Sequence, residues 1–195
     1  MKLVLASKNA KKLVEMNDIL SHLGIEVCSE AEAGVDIEVE ETGTTFEENS
    51  LLKAKAVMEA SGLPAIADDS GLCVDCLNGA PGVYSARYGG EGLSDPERYR
   101  MLLDNMRGQM TRTAKFVSVI TCCFPNGDVL SARGECPGTI AYAPMGEGGF
   151  GYDPVFFVPE LKKTFAQLTA DEKNAVSHRG KALEAFKEKL EAYLG

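Results

Sequence analysis

"KLVLASKNAKKLVEMNDILSHLGIEVCSE" (residues 2–30) decides the fold class. An apolar run, Leu3 to Ala6, stops at Ser7-Lys8-Asn9. Leu13, Met16, Leu20 and Leu23 then recur at helical spacing. Gly24 is a stop signal, and residues 25–30 read as a second strand. Strand, turn, helix, strand is the opening of an α/β sheet. The turn at 7–12 lies at a helix N-terminus, where backbone N–H groups and the helix dipole favour an anion. Ser7 and Asn9 add donors and Lys12 adds charge, although the Walker A pattern is absent. A simple N-cap with solvated lysines explains the same residues.

Working outward, "VDIEVEETG" (35–43) is extended and acidic. Thr45 and Glu48 have capping-box spacing ahead of a helix to about Ser61, whose apolar stripe reads as Phe46, Leu52, Ala56 and Ala60. Lys53 lies on a neighbouring face. "AIADD" (65–69) reads as a buried strand ending in two carboxylates. "NGAPGVYSARYGGEG" (78–92) reads as a long Gly-rich loop, and Ser94 and Glu97 cap a helix from there to about 108. Residues 114–124 and 129–136 form a predicted hairpin around Asn126-Gly127, and 138–144 a predicted third antiparallel strand. A Gly-rich turn, "GEGGFGYD" (146–153), runs into an apolar strand. Thr169 and Glu172 open another helix, and Leu183, Phe186, Leu190 and Tyr193 share a stripe of the last one. The expectation is one 195-residue α/β unit with a β-rich middle section and two lobes.

The 195 residues carry a net charge of -9, which argues against a broad nucleic-acid or anionic-membrane surface. A small anion needs only a few converging cations. With no apolar run near the length of a membrane span and no signal-peptide core, the chain reads as soluble and cytoplasmic. Six cysteines, including Cys73 and Cys76 in a CxxC, read as reduced, mostly buried thiols.

The chemistry concentrates in four places. Glu40-Glu41 and Asp68-Asp69 are paired carboxylates, suited as hard oxygen donors to Mg²⁺ and to water activation, though each pair also reads as surface charge. Lys53 sits on the helix leading into the second pair. Phe150 or Tyr152 could stack on a planar ring, and Asp153 could hold a hydroxyl or base. Lys173, His178 and Arg179 offer donors for a phosphate or carbonyl.

These stretches, "LASKNAKK", "EETGTTFEENSLLKAKA", "PAIADDSGLCVDCLNGAPGVYSARY", "GGFGYDPVFF" and "EKNAVSHRGKAL", resemble in order the inosine triphosphate pyrophosphatase (Ham1-like) family over nearly the whole chain. Ser7-Lys8 stands where many members have Thr-Gly. The resemblance implies an elongated mixed sheet in two lobes with flanking helices and a central substrate cleft, and a homodimer. It implies Mg²⁺-dependent hydrolysis of ITP, dITP and XTP to the monophosphate and pyrophosphate. By position, it implies triphosphate contacts along Ser7, Lys8, Asn9, Ala10, Lys11 and Lys12, with Lys53 nearby. Glu40 and Asp69 would hold the metal, Asp69 or Asp68 would orient or deprotonate the attacking water, and Ser70 would contact substrate. Phe150, Gly151, Tyr152, Asp153, Lys173, His178 and Arg179 would hold base and sugar. Competing readings are a Maf-like pyrophosphatase acting on pyrimidine or modified nucleotides, a non-catalytic nucleotide sensor, and a redox role for the CxxC.

Overall fold

β1 (Lys2–Leu5) and α1 (Ala10–Leu20) form where the sequence places them. The computed structural model describes residues 1–195. Asn9 caps α1, its side-chain oxygen accepting from the Lys11 and Lys12 amides at 3.0 and 3.3 Å. Gly24, in the left-handed region, closes a 3₁₀ turn after α1. β2 (Glu26–Ser29) then pairs parallel to β1.

The later elements are α2 (Phe46–Ser61), β3 (Ala65–Val74), α3 (Asp95–Asn105), β4 (Thr113–Cys123), β5 (Val129–Ile140), β6 (Phe156–Val158), β7 (Lys163–Thr164), α4 (Ala170–Val176) and α5 (His178–Leu194). The seven strands follow the order β2-β1-β3-β4-β5-β6-β7 in a mixed sheet. β3 pairs parallel to β1, and β6 pairs antiparallel to both β5 and β7.

The chain divides into two compact units. One comprises residues 1–69, 118–134 and 178–195, the other 70–117 and 135–177. In the first unit, strand alternation sorts the core onto two faces. Leu3, Leu5, Ile66, Ile120 and Cys122 pack with α1 and α5 through Met16, Leu20, Leu183 and Phe186. Val4, Ala6, Ala65, Ala67 and Cys123 pack with α2 through Ala54 and Val57. Gly134 lets β5 meet the start of α5, where a Cβ would lie 2.3 Å from the His178 carbonyl oxygen. The second unit is built on aromatic packing. Phe156 meets Phe116 and Phe165 edge-on at 4.6 and 4.8 Å between ring centroids. Each such pair adds about 1 kcal/mol beyond simple burial.

Three details depart from the sequence reading. The buried stripe of α2 is Phe46, Asn49, Ser50, Ala54 and Val57, whereas Leu52 is exposed. Two polar residues belong to it because Asn49 accepts from the Gly43 amide and the Ser50 hydroxyl bonds that of Thr121 at 2.7 Å. The predicted strand at 138–144 is instead the continuation of β5 to Ile140. The Gly-rich stretch 78–92 contains a 3₁₀ helix, Gly82–Arg87, stapled by Ser85, whose hydroxyl donates to Gly82 and accepts the Leu72 amide.

Candidate active site

Asp68 and Asp69 are adjacent on β3, so their side chains leave opposite faces of the strand. That alternation separates two like charges and gives each its own cations. Asp68, with the parity of Ile66, faces the α1/α5 side and is 0% exposed. Its Oδ1 accepts from Lys12 of α1 at 3.0 Å. Its Oδ2 accepts from Ser118 of β4 at 3.0 Å and from Arg179 Nε of α5 at 2.8 Å. Arg179 also pairs with Glu15 of α1. Burial opposes the charge on Arg179, but Asp68 and Glu15 more than offset it and raise its pKa. Burial lowers the Lys12 ammonium's pKa, and Asp68 restores only part of it.

Asp69, with the parity of Ala67, faces α2. Its Oδ1 lies 3.1 Å from Lys53 Nζ, and Lys53 also meets Glu41 Oε1 at 3.1 Å and the Asp68 carbonyl oxygen at 2.8 Å. Burial is the largest influence on Lys53 and opposes its charge, yet Asp69, Glu41 and Asp68 together raise its pKa. Asp69 is 5% exposed, and its Oδ2 is buried with no hydrogen-bond partner. Burial raises its carboxyl pKa, with Lys53 acting against the shift. A buried carboxylate oxygen left unpaired is costly unless a proton, donor or cation completes it.

Asp69 Oδ2 and the Glu41 carboxylate, linked through Lys53 Nζ, are hard oxygen donors of the kind a divalent cation takes, although no group of three or more carboxylate, histidine or cysteine side chains gathers there. Glu41 is half-buried on Lys53, whereas the expected ligand Glu40 is exposed. A cavity of about 370 Å³ in the same unit is lined by Ser7, Lys8, Lys12, Glu30, Glu41 and Lys53, among others. Ser7, Lys12 and Lys53 from the sequence-derived set therefore converge. Asn9 is occupied as the cap of α1, while Lys8, Ala10 and Lys11 lie exposed in this turn, with Lys8 3.9 Å from Asp36.

The base-and-sugar candidates separate into two groups. In the second unit Lys173 Nζ lies 2.9 Å from Asp153 Oδ2 and 5.0 Å from the Phe150 ring centroid. The Phe150 amide donates to the same Oδ2 at 3.2 Å. Gly149, in the left-handed region, clears that carboxylate; a Cβ there would lie 2.0 Å from it. Tyr152 is buried, and its hydroxyl donates to the Ser85 carbonyl at 2.7 Å. Ser70, the first residue of this unit, is half-buried. His178 and Arg179, in contrast, are buried at the start of α5 in the first unit. Arg179 is engaged by Asp68 and Glu15 rather than by the Phe150 cluster.

Sequence reasoning missed Glu15 and Ser118. Glu15 lies three residues after Lys12, on the same helix face. Ser118 is the polar position among apolar neighbours in "FVSVI". The CxxC spans the end of β3 and a 3₁₀ turn, and all six cysteines are free thiols. Burial pushes the Cys122 thiol up to about 12.

The chain has counterparts among known proteins. The Ham1 family model matches residues 3–189. The chain belongs to the Ham1 family. A dITP/XTP pyrophosphatase of Clostridium perfringens is 48% identical over 201 residues, covering 99% of this chain and 98% of that one. One from Haemophilus influenzae is 51% identical, covering 97% and 98%. Among solved structures of the family, the Staphylococcus aureus Ham1 protein superposes with a TM-score of 0.89 at 42% identity, covering 99% of this chain and 100% of that one. A HAM1 protein from Coxiella burnetii gives 0.90 at 43%, covering 98% and 99%. No helix is long and apolar enough to cross a membrane.

Proposed function

We propose that this Ham1-family chain is a dITP/XTP pyrophosphatase that hydrolyses ITP, dITP and XTP to the nucleoside monophosphate and pyrophosphate in the cytoplasm, as a homodimer and with Mg²⁺. Its near-50% identity with full-length dITP/XTP pyrophosphatases supports the activity. The observation that carries the site assignment is Asp69 Oδ2, a buried carboxylate oxygen without a partner, beside Lys53 and Glu41.

Asp69 and Glu41 would hold the divalent cation, which when bound supplies positive charge to the phosphate oxygens and to an attacking water. Asp69 orients that water towards the α-phosphorus, and pyrophosphate leaves. Lys12 and Lys53 stabilise the charge gathering on the leaving group, and Ser7 donates to a phosphate oxygen. Asp68 is the hub that holds Lys12, Ser118 and Arg179 in register. Phe150 stacks on the purine, Asp153 is held by Lys173, and the remaining Lys173 protons favour a 6-oxo acceptor over the 6-amino donor of adenine.

The test is pyrophosphate release across ITP, XTP, GTP, ATP, UTP and TTP with Mg²⁺ and an EDTA control. Metal-dependent release from ITP and XTP, with little from GTP or ATP, supports the proposal. Release mainly from UTP or TTP moves the assignment to a pyrimidine-directed enzyme. Light scattering checks the homodimer.

A further inference from the structure

The Phe150–Asp153 turn is held from outside at two consecutive residues. Tyr152 reaches the Ser85 carbonyl, and the Gly151 amide donates to Asp95 Oδ2 at 2.8 Å. Asp95 stands 56 residues earlier in the chain and is the first residue of α3. Its own position is well determined. The Ser94 hydroxyl oxygen accepts from the Glu97 amide, and the Glu97 carboxylate accepts from the Ser94 amide at 2.7 Å, completing a capping box. One turn on, the buried Arg98 guanidinium donates to the carbonyls of Tyr88, Gly90 and Leu93 at 2.7–3.0 Å and ties the preceding Gly-rich segment to the same helix. Asp95 is therefore a fixed acceptor for the turn. Gly151 sits in the left-handed region, which glycine adopts readily, and its amide bond to Asp95 adds to the hold on that conformation. The neighbouring Phe150 amide donates to Asp153 Oδ2 within the turn.

We propose that Asp95 is a positioning residue for purine recognition: by accepting the Gly151 amide it sets the orientation of the Phe150 ring and the Asp153 carboxylate. This rests on the reading of Phe150, Asp153 and Lys173 as the base site. It also gives a role to the Gly-rich stretch 78–92 and the capped helix after it. They frame the turn from behind.

The test compares Asp95→Ala with Asp95→Asn, whose side-chain carbonyl still accepts. KM and kcat for ITP, thermal stability, and hydrogen exchange at the Gly151 amide are measured for both. A lost hydrogen bond to a charged acceptor corresponds to a change on the order of tenfold. Asp95→Ala is expected to raise KM for ITP about tenfold with kcat nearly unchanged, and to speed exchange at Gly151. Asp95→Asn is expected to restore both. Unchanged KM and exchange in Asp95→Ala overturns the proposal. So does an Asp95→Asn variant as impaired as Asp95→Ala, which would assign the effect to helix charge. Parallel loss of kcat, KM and melting temperature would make Asp95 merely structural and overturns it too. Failure of the base-site reading has a different signature: Phe150→Ala and Lys173→Ala leave KM for ITP unchanged, while Asp95→Ala still speeds Gly151 exchange.

Discussion

Two faces of one strand differ sharply at β3. On the α1/α5 face, both oxygens of Asp68 are engaged by Lys12, Ser118 and Arg179. On the α2 face, one oxygen of Asp69 meets Lys53 and the other meets nothing in the protein. The residues are identical in chemistry and adjacent in sequence. What separates the two is how many of the carboxylate's acceptor positions the fold fills. A fully satisfied buried carboxylate organises cations, whereas a partly filled one retains the capacity to bind a cation or water.

The sharpest way to break this contrast is Asp69→Asn. It is expected to lower turnover about 10³-fold or more while leaving the melting temperature near that of the parent, as read by pyrophosphate release and thermal unfolding. Turnover within tenfold of the parent would remove Asp69 from the chemistry. Asp68→Asn should do the reverse in kind. Replacing one oxygen with a donor leaves the buried cations Lys12 and Arg179 undercompensated, at about 3 kcal/mol or more. Urea unfolding checks this, and an unchanged midpoint would mean that Asp68 is no hub.

The contrast sharpens further at the acidic pair. Glu41→Gln is expected to weaken apparent metal affinity about tenfold, while Glu40→Gln, altering an exposed carboxylate, should leave it unchanged. Metal titration of activity distinguishes the two, and the opposite ranking would return Glu40 to the role that the sequence resemblance implies.

The smallest effect lies at the exposed helix caps. Backbone N–H groups of Thr44, Ser94 and Thr169 hold the carboxyls of Glu48, Glu97 and Glu172 below the usual carboxylate range. A depressed carboxyl adds stability that is complete above its unfolded pKa, about 4.3, and is lost as pH falls through the lower folded value. The melting-temperature difference between the parent and Glu97→Ala should therefore shrink from pH 7 to pH 3. A constant difference would show that the ionised cap contributes nothing.

Capping residues and alternating strands were legible because their signals are local. Ser94 with Glu97 and Thr169 with Glu172 form the expected capping boxes within a single turn, while Thr45 caps α2 by accepting the Glu48 amide and the Glu48 carboxylate takes the Thr44 amide instead. The α2 stripe was misread for a physical reason: polarity there reports hydrogen bonds to Gly43 and Thr121, the latter 71 residues away from Ser50. The destination of Arg179 was equally hidden. Its motif suggests ligand contact, while its guanidinium bonds Asp68 across 111 residues and Glu15 across 164.

By itself the sequence determined the helices with their caps, the apolar strands and the chemical types gathered in the ordered motifs, because these depend on neighbours within a few residues. Strand parity also put Asp68 and Asp69 on opposite faces. Only the tertiary structure decided which face met Lys12 and Arg179 and which met Lys53 and Glu41. It alone left one oxygen of Asp69 open, because side-chain pairing follows from how helices pack on the sheet, which no local pattern encodes.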